Sequence, residues 1–505
     1  MPRYASYVKD PLVERNPFRG MAPEESPLPD APAALDRLPD PFWEEHPEAS
    51  ACWRRAWEIA LANLRQPTAG SGFVSNFIDT AFNGSLFMWD SCFITMFGRY
   101  GRRVFDFQRT LDNFYARQHP DGFICREIQE STGEDSFDRF DPSATGPNLL
   151  PWAEWEHYRQ TGDRARVTAV LPALLAYYRW FRKWRSWPDG AYWATGWACG
   201  MDNQPRMDPG YVAEHDHGHL AWIDTCLQQV LAARVLVELN AESGAAWPVQ
   251  DIAEEASALT RLVNRRMWDS AASFYEDRRR DGTLTGVKSI GAYWALLAGV
   301  VPRTRLPAFL AHLEDPAQFK RPHRVPSLSA DHPLYRPGGD YWRGSVWAPA
   351  TWMVLQGLRS VDQDRLAREI ALSHLGNVHA VFQSTGTLWE NYAPESAAPG
   401  QQAARDFVGW TGLAPIAVLL EFVFGLRPDA VRGVLRWDVG ITEAHGVRRY
   451  PFGAGATVDL ACAPRARPQD PPEIAASSDA PILLDVRWDG GRRRVRVGPR
   501  GGQQA

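Results

Sequence analysis

From about Cys52 to about Phe424 the chain repeats one pattern. Helices with an ordinary apolar stripe alternate with helices that are apolar nearly all round. Pro172 suits a first helical turn, and Leu174, Tyr177, Tyr178 and Phe181 follow at i, i+3, i+4 and i+7. Pro188-Asp189-Gly190 ends that helix. Leu220, Ile223, Leu227, Val230 and Leu231 mark a second helix, and Ile252, Ala256, Leu259 and Val263 a third. Leu413 to Phe424 is almost wholly apolar, which predicts a buried helix stopped by Gly425 and Pro428. The all-apolar helices begin just after glycine- and aromatic-rich segments. An outer and an inner ring of helices would produce that alternation, with the segments clustered at one end of the inner ring. No fixed repeat length accompanies it, which disfavours a regular solenoid. The expectation is a mainly α fold, an (α/α)6 barrel of six hairpins spanning 46–428.

The flanks read differently. Residues 1–45 are rich in proline and acids, as in Pro23-Glu24-Glu25-Ser26-Pro27, and predict an extended N-terminal arm on the surface or a partly disordered one. Such an arm can mediate homo-oligomer formation or close over a pocket. Beyond Pro428, alternating stretches at 434–438, 456–461, 482–488 and 493–497 predict a small β-rich C-terminal domain over 429–505. Arg492-Arg493-Arg494 falls inside that alternation and reads as a solvated face.

Composition narrows the function classes. A 505-residue chain with 45% hydrophobic and 23% charged residues belongs in a soluble globule. A net charge of −5 gives no electrostatic reason to expect a nucleic acid or an anionic membrane as partner. Six scattered cysteines without a C-x-x-C pair predict buried thiols in a reducing compartment. The first residues lack a signal peptide's apolar stretch, and no apolar run approaches the ~20 residues of a membrane span. The expected location is cytoplasmic.

The chemistry gathers in a few segments where aromatic residues and glycines crowd around carboxylates. They are Met88-Trp89-Asp90, Gly200-Met201-Asp202-Asn203-Gln204-Pro205-Arg206, Tyr341-Trp342-Arg343-Gly344-Ser345-Val346-Trp347, and Trp389-Glu390-Asn391-Tyr392. Flat apolar faces beside fixed acids suit sugars, whose C–H faces pack on indoles and whose hydroxyls meet carboxylates. Acetal cleavage needs an acid and a base on opposite sides of the ring. Asp202 lies in a turn, where an Asx-turn or a helix cap competes with catalysis. Trp193 and Trp197 nearby favour a raised carboxyl pKa. Glu390 sits between Trp389 and Tyr392, and Glu395 competes with it for the role of base. Trp342, Trp347, Trp389 and Trp410 read either as sugar platforms or as core, and so does Trp89.

As a set, with Gly409-Trp410-Thr411-Gly412-Leu413 added, these motifs resemble glycoside hydrolase family 63, in order and across residues 88–413. The chain is most similar to the short bacterial branch that includes mannosylglycerate and glucosylglycerate hydrolases. The resemblance implies an (α/α)6 barrel and inversion at the anomeric carbon, with Asp202 as general acid and Glu390 as general base. Trp89 and Asp90 resemble the family's glycone-binding pair. Gln118 is a further candidate for a hydroxyl contact. Arg206 and Arg343 could steady the acids or meet an anionic aglycone. Gly344 and Tyr392 complete the substrate-binding set. The implied substrate is a small α-glucoside or α-mannoside, and neither cofactor nor metal is implied. The rivals are another six-hairpin sugar enzyme (trehalase, α-L-rhamnosidase or epimerase) and a non-catalytic sugar-binding protein. His215-Asp216-His217-Gly218-His219 imitates a metal cluster but reads as capping and hydrogen-bonded histidines. The acidic stretch from Glu127 to Asp141 reads as a solvated mobile loop rather than a cation site or a substrate lid.

Overall fold

The computed structural model describes residues 8–79 and 83–499. It is helix-rich through residue 424 and ends in a region of β-sheet. Consecutive long helices pair through short connections: Leu150–Thr161 with Arg164–Trp184, Ile223–Ser243 with Gln250–Arg266, and Ala348–Ser360 with Asp364–Thr385. Burial follows the sequence alternation. Gln250–Arg266 buries only a stripe of Ile252, Ala256, Leu259, Leu262 and Val263. Met88–Gly98, by contrast, leaves only Trp89 incompletely buried. The buried helices contact one another in a closed cycle. Met88–Gly98 touches Leu150–Thr161, which touches Ile223–Ser243, then Trp294–Leu297, Ala348–Ser360 and Trp410–Leu413, and so back to Met88–Gly98.

Two helix expectations need correction. Pro172 does not open a helix; it lies inside Arg164–Trp184, whose start is capped by Asp163 accepting from the Arg166 N–H at 3.0 Å. Interior proline costs about 3 kcal/mol. Burial of Val167, Val170, Leu171 and their successors offsets that cost. The apolar run near 413–424 is a 3-10 turn, Trp410–Leu413, followed by a π-helix, Ala414–Val423, and Gly425 ends it at φ +81°. Its one acid, Glu421, is buried against Arg99 and Arg359.

The β region holds two four-stranded sheets. One runs in the order Asp40–Trp43, His445–Phe452, Ala456–Cys462, Ile474–Ser478. The other runs Gly491–Val497, Ile482–Trp488, Val434–Asp438, Leu426–Asp429. Strands 434–438 and 482–488 fall where the alternation put them. Asp40–Trp43 was not anticipated. It pairs antiparallel with His445–Phe452, so the N-terminal segment supplies an edge strand. That segment also forms a 3-10 helix, Pro11–Arg15, whose Leu12 and Val13 are buried, so its described part is anchored by apolar contacts. Trp437 Nε1 donates to the Phe424 carbonyl at 2.9 Å, fastening the sheet region to the end of the π-helix. Among the described residues, no helix is long and apolar enough to cross a membrane.

Candidate active site

A cavity of about 240 Å³ lies where the aromatic segments converge. Its walls include Trp89, Asp90, Arg126, Trp197, Asp202, Tyr341, Trp342 and Trp410. Trp89 and Asp90 come from the first turn of Met88–Gly98. Asp90 is buried; among the described residues its Oδ1 and the indole Nε1 of Trp89 have no hydrogen-bond partner. Burial holds the Asp90 carboxyl well above its usual range, and nearby Glu390 and Asp202 push the same way.

Asp202 follows a single helical turn, Gly196–Cys199, capped by Thr195 and ended by Gly200 at φ +77°. A Cβ on Gly200 would sit 2.9 Å from the Trp89 ring, so glycine serves both the turn and the close approach of the indole. Burial pushes the Asp202 carboxyl up to about 7; Glu390 and Glu214 add to the rise, and Arg126 opposes it. The rest of the loop is pinned. Asn203 accepts from the Trp342 N–H at 2.9 Å and donates to the Asp340 carbonyl. Gln204 bonds the Ser327 carbonyl and Ser289. Arg206 is fully buried, bonded to both oxygens of Asp224 and of Asp277 at 2.6–2.9 Å, with Trp222 beneath it at 4.3 Å. It anchors the loop and does not reach the cavity.

Glu390 is buried and stands just behind the cavity wall. One oxygen accepts from the Tyr341 hydroxyl at 3.1 Å and the other from the Ala404 N–H at 2.9 Å. Burial raises its carboxyl above the ordinary value, and these two donors pull the other way. Its carbonyl accepts from Trp410 Nε1 at 2.9 Å, tying it to a wall residue. Tyr341 and its neighbour Asp340 both adopt positive φ, +64° and +40°. Backbone strain of this kind costs about 1–3 kcal/mol per residue and persists only where the surroundings enforce it. Glu395, the alternative base, is bonded by Arg321 and the Tyr335 hydroxyl, and Arg321 holds its carboxyl below the usual range.

The remaining predicted residues divide. Trp342 faces the cavity and Trp347 stacks behind it, centroids 4.0 Å apart and planes 1° from parallel. Gly344 has φ +146°, and a Cβ there would come within 2.8 Å of the Arg336 carbonyl. Arg343 bonds Asn203 and Asp340 and lies off the cavity. Trp389 and Tyr392 support the segment around Glu390: Trp389 donates to Thr385 through its indole, and Tyr392 accepts the Trp389 N–H. Gln118 is remote from the cavity, its amide spent on the Gly122 and Ala173 carbonyls and on Asn16.

Tyr341 and Arg126 were missed as site residues. Tyr341 lay in plain view beside Trp342. Arg126 had no signal in local spacing; it reaches the cavity by stacking on Phe137 at 4.5 Å and Trp197 at 5.6 Å. The acidic stretch is folded rather than loose. Glu127–Gln129 pairs with Ser85–Phe87, Asp135 bonds His119, and Asp141 accepts from the Ser143 N–H. In the histidine stretch, His215 packs edge-on against Trp197 and Asp216 accepts from the Val212 N–H.

Comparison with known proteins bears on the family and the fold. Residues 85–411 match the family described as "Mannosylglycerate hydrolase MGH1-like glycoside hydrolase domain". The mannosylglycerate hydrolase of Thermus thermophilus is 23% identical over 357 residues, 56% of this chain and 83% of the relative. A probable mannosyl-oligosaccharide glucosidase of Schizosaccharomyces pombe is 25% identical over 277 residues, 48% of this chain and only 33% of that longer protein. The crystal structure of a family 63 mannosylglycerate hydrolase from Thermus thermophilus in complex with glucose superposes with a TM-score of 0.58. At 20% identity, over 72% of this chain and 99% of the other, that match establishes likeness of fold. A family match spanning more than half of the sequence, over all the aromatic and acidic segments of the site, places this chain in the MGH1-like glycoside hydrolase family.

Proposed function

We propose that the chain is an inverting, exo-acting α-glycosidase for a small α-glucoside or α-mannoside, of the glycosylglycerate or short-oligosaccharide type. Its helical body reads as an (α/α)6 barrel over 46–428, and the closed cycle of buried helices supports that reading. The N-terminal segment and the C-terminal β region are its appendages, with residues 429–505 as the small domain. Six buried free thiols agree with a cytoplasmic site of action.

One observation carries the assignment: burial beside two other acids pushes Asp202 up to about 7, within a tryptophan-walled hollow. A carboxyl with that value is still about half protonated at neutrality and can donate to a departing glycosidic oxygen. Glu390 is the base. Its ionised form, held by Tyr341 and the Ala404 N–H, takes a proton from water entering beside the Tyr341 hydroxyl, on the opposite side of the ring. Trp342, backed by Trp347, provides the platform, and the unpartnered Asp90 Oδ1 and Trp89 Nε1 meet glycone hydroxyls. The small volume suits one sugar ring, hence an exo action. Among the described residues no histidine lines the cavity, which weighs against an epimerase using histidine bases.

The test is proton NMR of the first-formed product from glucosylglycerate, mannosylglycerate and short α-linked oligosaccharides. The expected product is the β-anomer with release of the aglycone, and Glu390→Gln should lose turnover while retaining binding. An α-anomer, isomerisation without cleavage, or near wild-type rates in Glu390→Gln would overturn the assignment.

A further inference from the structure

The sugar pocket opens at the N-terminal ends of Met88–Gly98 and Ala348–Ser360. Past the opposite ends of these helices lies a second cavity, of about 680 Å³, closed on its far side by the sheet containing Ile482–Trp488. Its walls carry ten arginines. Among the described residues, the carboxylates they can reach number seven: five in the walls, together with Asp364 and Asp438, which bind Arg427 and Arg436 from outside. The chain's net charge is −5, so this cationic surplus is local.

Strand register explains its origin. Leu435, Trp437, Leu484 and Val486 take the apolar face of the sheet and are buried. Arg436, Asp485, Arg487, Arg492 and Arg494 take the other face. A charged face ordinarily meets bulk water. This one meets helix ends that carry arginines of their own. On the sheet side a single carboxylate, Asp485, is shared by Arg492 at 2.5 Å, Arg487 at 3.0 Å and Arg494 at 3.7 Å. On the helix side Glu156 and Glu421 serve Arg99, Arg159 and Arg359. Arg99 is 3% exposed, and among the described residues its Nε has no hydrogen-bond acceptor. Burial, reinforced by the neighbouring Arg427, pulls Arg359 down to about 10. Some of the cationic groups cap backbone carbonyls, as Arg234 does at Ala298 and Arg359 at Glu421. No such role is filled by Arg492 and Arg494, whose side chains are 43% and 59% exposed at the edge of the cavity.

We propose that this cleft binds a small anion carrying two or more phosphate or carboxylate groups, which bridges Arg492 and Arg494 on the sheet to the arginines at the helix ends. Guanidinium forks match such oxyanions bidentately, which a lone ammonium cannot do. The volume lies within the ~300–1,000 Å³ usual for small-molecule sites. Bound there, the anion would lock the sheet region to the helical body without competing with the sugar.

The probe is tripolyphosphate, titrated into the full-length protein by calorimetry and by thermal unfolding, with ionic strength held constant by NaCl. Citrate in a parallel arm separates phosphate from carboxylate preference. Saturable binding with a rise in Tm is expected. It should weaken by roughly tenfold or more in Arg492→Gln/Arg494→Gln, and again in Arg436→Gln on the next strand but one. Glu390→Gln should bind the anion as the wild type does, so a failed sugar assignment would leave this result standing. Unchanged affinity in both arginine variants, or a Tm rise reproduced by NaCl alone, overturns the proposal.

Discussion

Two pairs of carboxylates lie in and beside the loop from Gly200 to Arg206, and the protein treats them in opposite ways. Asp224 and Asp277 are both bonded to Arg206 through contacts of 2.6–2.9 Å. Asp90 and Asp202 face the cavity, and among the described residues no cation is bonded to either; Arg126 acts on both from a distance. A buried acid persists only if it is paired or keeps its proton. The first pair takes the former course and the second the latter. On the proposed assignment, residues of one chemical type thus become scaffold or reagent according to whether a guanidinium reaches them. Arg206 belongs to the scaffold, although its motif suggested substrate contact.

Arg206→Met tests the scaffold side and should have the largest effect. Removing one partner of a buried pair costs about 3–5 kcal/mol, and here two carboxylates are stranded at once. Thermal unfolding should show a collapse in Tm or loss of soluble protein, whereas a Tm close to wild type would place Arg206 among the dispensable contacts. Asp202→Asn tests the other side. Loss of the acid should lower kcat by about 10²–10⁴-fold. Stability should move the opposite way. With a folded pKa of about 7 against an ordinary 3.8, the wild type loses stability as pH rises between those values, because the folded carboxyl holds its proton more tightly than the unfolded one. The Tm advantage of Asp202→Asn over wild type should therefore grow from pH 4 to pH 7. A Tm deficit at pH 7 would mean that the carboxylate is paired after all.

The same contrast shows what could be read from sequence. The alternation of striped and all-apolar helices was legible because burial imposes it along each helix, as in Gln250–Arg266 against Met88–Gly98. Asp202, Asp90, Trp342 and Trp410 were legible as cavity residues because glycine turns and clustered indoles are local signals. Partners distant in sequence were not. Arg206 meets Asp277 across 71 residues, and Gln118 is consumed by Ala173 across 55. Nothing in either motif announces those bonds. Arg126 escaped notice because its place depends on Phe137 and Trp197, and the edge strand Asp40–Trp43 because its partner lies some four hundred residues away. Pairing decides whether a charge is structural, and pairing is tertiary.

Tyr341 offers the smallest but most discriminating test, because its hydroxyl contacts the proposed base, Glu390, and not the Arg206 cluster. Its hydroxyl donates to Glu390 at 3.1 Å and so favours the ionised carboxylate. In the wild type the rate should fall on the alkaline side as Asp202 loses its proton near pH 7, and on the acid side as Glu390 gains one above the ordinary 4.5. Tyr341→Phe removes a stabiliser of the Glu390 anion, so its pKa rises and the acid limb moves to higher pH. The alkaline limb stays in place, because Asp202 accepts nothing from Tyr341, and the optimum narrows from one side. A hydrogen bond to a charged group is worth about 1.5–3 kcal/mol, so a shift of the acid limb by about one to two pH units is expected. Parallel movement of both limbs would show that the hydroxyl acts on the cavity as a whole, and movement of the alkaline limb alone would exchange the roles of the two acids.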